Sequence, residues 1–139
     1  MIDPTEVLSN LDPHERLHGV HPDLVTKVEQ LAVAMAAIGF PMIVTAGVRT
    51  VAEQQALYAQ GRTKPGEIVT EDDGITHRSN HQVHEDNFGH AVDCAFLVNG
   101  EPTWDPKQPW NIYGILAQKL GLRWGGTWTT PHDLPHVEL

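Results

Sequence analysis

Gly89-His90-Ala91-Val92-Asp93-Cys94-Ala95-Phe96-Leu97-Val98-Asn99-Gly100 is the stretch that decides the fold. From His90 to Val98 the run is apolar and rich in strand-forming residues, with a single carboxylate inside it, and predicts a core strand. Asn99-Gly100 follows directly and is the strongest short-range hairpin signal. Strand alternation puts Ala91, Asp93 and Ala95 on one face and His90, Val92 and Cys94 on the other. A carboxylate on a core strand is costly unless it is paired or bound to a metal ion. The small alanines on either side of Asp93 leave room for a ligand above it.

Outward from this strand, Leu24, Val28, Leu31, Met35 and Ile38 recur at helical spacing from about Pro22, and Gly39 and Pro41 end that helix. Met42 to Ala46 is short, apolar and β-branched, which predicts a strand. A second helix is expected from Val51 to Gln60, stopped by Gly61. Residues 62–88 form a long polar stretch of the kind that is usually functional when it lies inside a compact domain. Pro109 to Leu120 predicts a third helix, with Ile112, Ile115, Leu116 and Leu120 on its apolar side. The tail ends in a short strand, His136 to Leu139. Helices and strands without regular βαβ alternation indicate an α+β fold: a small, mainly antiparallel sheet flanked by about three helices. With no linker or repeat, residues 1–139 read as one domain, in which 1–18 is an N-terminal extension and no separate wall-binding domain follows.

The 139 residues carry 18 acidic and 9 basic side chains, a net charge of -9. That balance argues against a nucleic-acid phosphate binder. A single cysteine excludes an internal disulfide framework and any Cys-rich zinc site, and Cys94 reads as an inert core residue. No apolar run is long enough to span a bilayer, and MIDPTEVLSN has no signal-peptide pattern. Nine histidines are far more than a chain of this size requires.

Two clusters could supply partners for Asp93. Asp133-Leu134-Pro135-His136 places a carboxylate and an imidazole three residues apart across a proline bend, where they can converge. Ser79-Asn80-His81-Gln82-Val83-His84 brings two histidines into the long polar stretch. A loop histidine, Asp93 and His136 together make three N/O ligands, the arrangement of a catalytic zinc site with a position left for water. Such chemistry needs an unligated carboxylate as base, a role open to Asp133, and a cationic donor for the developing oxyanion, for which Arg49 is the candidate. Competing signatures fail. Phe88 stands where an HExxH helix needs its second histidine, His136-Val137-Glu138 lacks the cysteines of a deaminase, and there is no P-loop, dinucleotide fingerprint or G-x-S-x-G elbow.

These residues also resemble a known family. Gly89-His90-Ala91-Val92-Asp93 is similar to the G-x-A-x-D half of the S-x-H-x-x-G-x-A-x-D motif of the peptidoglycan-cleaving D-alanyl-D-alanine carboxypeptidase and L-alanyl-D-glutamate peptidase zinc enzymes. Asp133 to His136 resembles that family's closing motif. Gly47-Val48-Arg49-Thr50 with Gln54 to Arg62 resembles its G-x-R-T…Q-x-x-L-Y-x-x-G-R segment. Val20 to Leu24 and Trp124 to Trp128 are similar to the phage endolysin branch. The likeness covers roughly residues 19–139.

One departure stands out: Asp86 occupies the position of the usual ligand histidine. His81 keeps the S-x-H pattern but precedes Gly89 by eight residues, which implies an insertion. The resemblance implies a Hedgehog/D,D-peptidase-like fold holding one Zn2+ on His81, Asp93 and His136, with His84 as the alternative ligand. It implies Asp133 as general base and Arg49 at the oxyanion, with substrate contacts at Arg49, Gln54, Ser79, His132 and Trp128. The expected substrate is the peptidoglycan stem peptide, cut at the L-alanyl-D-glutamate bond. A D-alanyl-D-alanine carboxypeptidase is the alternative, and a non-catalytic cell-wall-binding module of the same fold a more distant one. The chain is expected to act as a monomer without nucleic acid or membrane insertion. It would be made in the cytoplasm and released to the wall through a holin-type pore.

Overall fold

A computed structural model describes residues 3–129 and 132–139. Its elements in chain order are α1 (Pro4–Leu11), α2 (Pro22–Ala37), β1 (Met42–Ala46), α3 (Val51–Ala59), β2 (Ala91–Val98), β3 (Glu101–Thr103), α4 (Trp110–Lys119), β4 (Arg123–Trp124), a 3-10 turn (Gly125–Thr127) and β5 (His136–Glu138). The α+β architecture read from the sequence is the one observed. β2 is the middle of a five-stranded antiparallel sheet of order β1-β2-β5-β4. β1 runs along one of its edges. β5 pairs with the N-terminal half of its other edge and β3 with the C-terminal half. The β2–β3 hairpin turns on Asn99 and Gly100 at φ 53° and 78°, as a two-residue type I′ turn requires.

The two faces of β2 divide the molecule. Val92, Cys94 and Phe96 join Met42 and Val44 of β1 and Val137 of β5 in the hydrophobic core, which α2 and α4 cover through Leu24, Val28, Leu31, Met35, Trp110, Tyr113 and Ala117. Asp93 lies on the opposite face. α2 starts at Pro22, with the His21 ring nitrogen Nδ1 accepting from the Asp23 amide at 3.0 Å. α3 opens with a capping box in which Thr50 and Glu53 satisfy one another's amides.

Three sequence expectations change. The stretch 1–18 is not a bare extension: Asp3 caps α1, and Leu11, 2% exposed, is part of the core, which makes α1 one of the four helices that flank the sheet. α4 does not bury the expected stripe, because Ile112 and Ile115 are 38% and 50% exposed. Its inner face is Trp110, Tyr113, Gly114 and Ala117, with Leu116 and Leu120 at the margin. Aromatic rings set between small residues fill that space better than the branched side chains the simple period selected. Finally, β2 begins at Ala91, not His90, and β5 ends at Glu138. Among the described residues, no helix is long and apolar enough to cross a membrane.

Truncating Leu11 tests whether α1 is integral. Leu11→Ala should lower the unfolding free energy by roughly 2–5 kcal/mol in a urea melt, as for other buried leucines. A loss below about 0.5 kcal/mol, the ordinary surface range, would return residues 1–18 to an appendage.

Candidate active site

Asp93 sits opposite Ala46 on one side and His136 on the other. Directly opposed residues of an antiparallel pair project to the same face, so the pairing of β2 with β5 brings the His136 imidazole beside the Asp93 carboxylate. Glu138, two residues along β5, shares that face and lies across from Ala91, whose small side chain makes room for it. The third group, His81, comes from the irregular segment between α3 and β2. Its amide donates to the Ser79 hydroxyl at 3.1 Å, and Gln82 braces the turn by accepting from the Ser79 amide and donating to the Gly74 carbonyl. The His81 carbonyl accepts from the Arg49 amide at 2.8 Å, and its Nδ1–H donates to the Gly47 carbonyl at 2.8 Å. Gly47 must be glycine here, because a Cβ would collide with the carbonyl of Arg16.

The result is a nearly equilateral triangle. His81 Nε2 and His136 Nδ1 lie 3.3 and 3.2 Å from Asp93 Oδ1 and 3.2 Å from each other. The outer nitrogens of both rings are committed: His81 Nδ1 to Gly47, and His136 Nε2, which donates to Glu138 Oε1 at 2.7 Å. Each inner nitrogen therefore presents a lone pair. Asp93 Oδ1 is buried with no hydrogen-bond partner among the described residues. Three lone-pair donors facing one point demand a positive charge at that point. The electrostatics favour a positive charge at the same point, whether a metal ion or a proton on an inner nitrogen supplies it. Burial pulls His136 down, but Asp93 and Glu138 overcome it and lift its pKa to about 9. Burial works to raise Asp93, yet the two imidazoles hold its carboxyl well below the usual carboxylate range. These three residues could hold a metal ion.

Around the triangle lies a cleft of about 700 Å³. Asp133, half-buried on its rim, has Oδ2 3.8 Å from His136 Nδ1. Burial first, and then the charge of Asp93, raise its pKa. The turn that carries it is clamped from the core side. Tyr113 donates to the Pro135 carbonyl at 2.7 Å, Trp124 to the Leu134 carbonyl at 2.8 Å, and the Asp133 amide to the Gly125 carbonyl at 3.1 Å. Arg49 points Nη2 towards Asp93 Oδ2, 3.9 Å away, and donates from Nη1 to Gln54 Oε1 at 2.8 Å. The arrangement can bind a cation, hold a proton acceptor beside it, and present a guanidinium on the other side.

The sequence-derived residues do not all meet here. Ser79 and Trp128 line the cleft, and the Trp128 ring packs 4.8 Å from that of His136. Gln54 is fully buried behind Arg49, held by Thr70 Oγ1 and the Asp72 carbonyl, so it positions the arginine rather than meeting substrate. His132 is exposed and is not among the residues lining the cleft. His84 lies apart, stacked on His90 at 3.8 Å, and Asp86 accepts from His90 Nε2 at 2.8 Å, so neither joins the triangle. Sequence reasoning missed Glu138, whose carboxylate is buried, receives His136, pairs with Arg123 at 2.8 Å and accepts from Asn80 at 2.6 Å. Its signal was the His-x-Glu alternation on one strand face, which matters only once His136 is assigned.

Residues 73–139 match the family profile described as D-alanyl-D-alanine carboxypeptidase. Over 129 residues the chain is 35% identical to the peptidoglycan L-alanyl-D-glutamate endopeptidase CwlK of Bacillus subtilis (strain 168), covering 86% of this chain and 73% of that protein. The chain belongs to this peptidase family. It is a metallopeptidase, in keeping with the cation site its side chains build. A solved structure of the same kind, the Serratia marcescens L-Ala D-Glu endopeptidase ChiX, matches with a TM-score of 0.63 at 27% identity, over 95% of this chain and 92% of that one.

Glu138 gives this geometry a direct test. Carboxylates that orient a ligand histidine typically contribute about 10- to 100-fold to metal affinity. Glu138→Ala should weaken metal binding by that factor in a chelator competition, and Glu138→Gln, which keeps an acceptor oxygen, by less. Unchanged affinity in Glu138→Ala would mean that the His136–Glu138 bond does not tune the site.

Proposed function

We propose that the protein is a zinc-dependent endopeptidase that cuts the L-alanyl-D-glutamate bond of the peptidoglycan stem peptide. The observation that carries this reading is the His81–Asp93–His136 triangle with its orphaned Asp93 oxygen. Zinc bound by nitrogen and oxygen at about 2.0–2.1 Å in tetrahedral geometry separates its ligand atoms by about 3.3 Å. The edges here are 3.2, 3.2 and 3.3 Å. Two imidazoles and one carboxylate, all hard-to-borderline donors with one position left over, suit zinc in a catalytic role. The choice of bond is supported by the two relatives, CwlK and ChiX, whose names specify it and which align with most of this chain.

When bound, zinc supplies a water nucleophile at neutral pH and polarises the scissile carbonyl. The chain's own residues do the rest. Asp133 accepts the proton of the attacking water on its carboxylate and returns it to the leaving amine, and its raised pKa suits both halves of that task. Arg49, oriented by Gln54 from below, directs its guanidinium at the oxygen on which negative charge develops. His81 and His136, fixed by Gly47 and Glu138, keep their inner nitrogens turned to the point that the metal would occupy. Trp128 and Ser79 form walls against which the peptide lies. The endolysin-type setting, with release to the wall through a separate pore, rests on the likeness of Val20–Leu24 and Trp124–Trp128 to that branch.

Digestion of defined muropeptides, followed by mass spectrometry of the new termini, checks the bond. The expected product carries a new N-terminal D-glutamate, whereas release of free D-alanine would assign the carboxypeptidase activity instead. Within that assay, Asp133→Ala should keep stoichiometric zinc and lose at least about 100-fold in kcat, the usual scale for a positioned acid–base group. His136→Ala should lose zinc and activity together. Undiminished hydrolysis by Asp133→Ala contradicts the assigned base.

A further inference from the structure

We propose that Arg78 is the specificity residue that receives the free carboxylate of the substrate's glutamyl residue, a proposal that rests on the L-alanyl-D-glutamate reading above. The chemistry of that bond presents a group for such a receptor. A glutamyl residue has two carboxyl groups, and only one can continue the chain. The other stays free within a few bonds of the scissile nitrogen and carries a full negative charge at neutral pH.

The cleft is poorly disposed to accept such a charge without help. Glu71, Asp72, Asp93, Asp133 and Glu138 all line it. Three arginines line it as well, and they differ in how far they are already neutralised. Arg49 faces Asp93 at 3.9 Å and is tied to Gln54. Arg123 is paired with Glu138 at 2.8 Å and donates to the Leu139 carbonyl at 2.9 Å. Arg78 has no carboxylate within 4 Å among the described residues, and its one hydrogen bond is a long one, 3.3 Å from Nη2 to the Val83 carbonyl.

Position adds to the case. Arg78 immediately precedes the Ser79–Gln82 turn that presents His81, and that turn is braced by three hydrogen bonds. The backbone next to the arginine is therefore held in place, while Arg78 itself is exposed. It borders both the cleft around the triangle and an adjoining hollow of about 670 Å³, so it stands where the one opens into the other. A planar guanidinium with free donors matches a carboxylate in a two-point contact.

The test compares wild type, Arg78→Gln and Arg78→Lys on two muropeptides that differ only in whether the glutamyl carboxyl is free or converted to the primary amide. Hydrogen bonds to charged groups correspond to about 10- to 100-fold in kcat/KM. Wild type should prefer the free acid by that factor, Arg78→Gln should collapse the preference to about 1, and Arg78→Lys should keep part of it. A structural role for Arg78 lowers both rates together and leaves the ratio intact, which overturns the assignment. Equal rates for wild type on the two substrates overturn it as well. If wild type cuts neither at the L-alanyl-D-glutamate bond, the functional reading itself fails along with it.

Discussion

A carboxylate oxygen with nothing to bond to, buried between two imidazoles, is the constraint on which the rest of this structure depends. Asp93 belongs to the central strand, and its chain neighbours Val92 and Cys94 are sealed into the core. Its Oδ1 has no donor while both rings are neutral, because the facing nitrogens of His81 and His136 then offer lone pairs, their outer N–H groups being committed. Burying a carboxylate oxygen without a hydrogen-bond donor in this way is unfavourable for the isolated fold. It becomes favourable when a cation fills the centre, so cost and function reside in the same atom.

Much of the surrounding architecture serves to keep that centre from relaxing. The pairing of β2 with β5 fixes Asp93 against His136, while the Ser79–Gln82 turn docks His81 on the segment after β1. Tyr113 and Trp124 reach out of the core to hold the carbonyls of Pro135 and Leu134, which sets the bend between Asp133 and His136. Tyr113 is fully buried, and burial raises its pKa well above normal, so its hydroxyl stays a donor. Burial likewise pushes the Cys94 thiol up to about 12, which leaves the sole cysteine without thiolate chemistry. The helices thus contribute to the site by anchoring its backbone through Tyr113 and by orienting Arg49 through Gln54, and among the described residues they contribute no candidate ligand.

The fold class was legible because its signals are local. An apolar run ending in Asn-Gly, a helical period closed by glycine and proline, and a proline bend before a short strand each report on neighbours in the chain. Asp93 and His136 were legible for the same reason, as polar residues in places where polarity is expensive. Other features depended on contacts distant in sequence. α1 was missed because eight mixed residues have no decisive period, and only Leu11 meeting the core explains why they fold. The burial of Ile112 and Ile115 was misjudged because the period does not say which neighbours a helix will have. The choice between His81 and His84 turned on a resemblance, since both sit in the same irregular segment. The structure separates them physically: His81 is tied to Gly47, and His84 lies flat against His90. Glu138 and Gln54 act through another side chain, and no spacing rule announces a residue whose partner comes from another element.

The proposed centre is one zinc ion held by His81, Asp93 and His136 with a position left for water. Anomalous diffraction from a crystal of the zinc-loaded protein, collected on both sides of the zinc absorption edge, tests it most directly. A single strong peak is expected within bonding distance, about 2.0–2.2 Å, of His81 Nε2, an Asp93 carboxylate oxygen and His136 Nδ1, with non-protein density completing the coordination. A peak bound instead by His84 or Asp86, or no peak at the triangle when zinc is in excess, would contradict it.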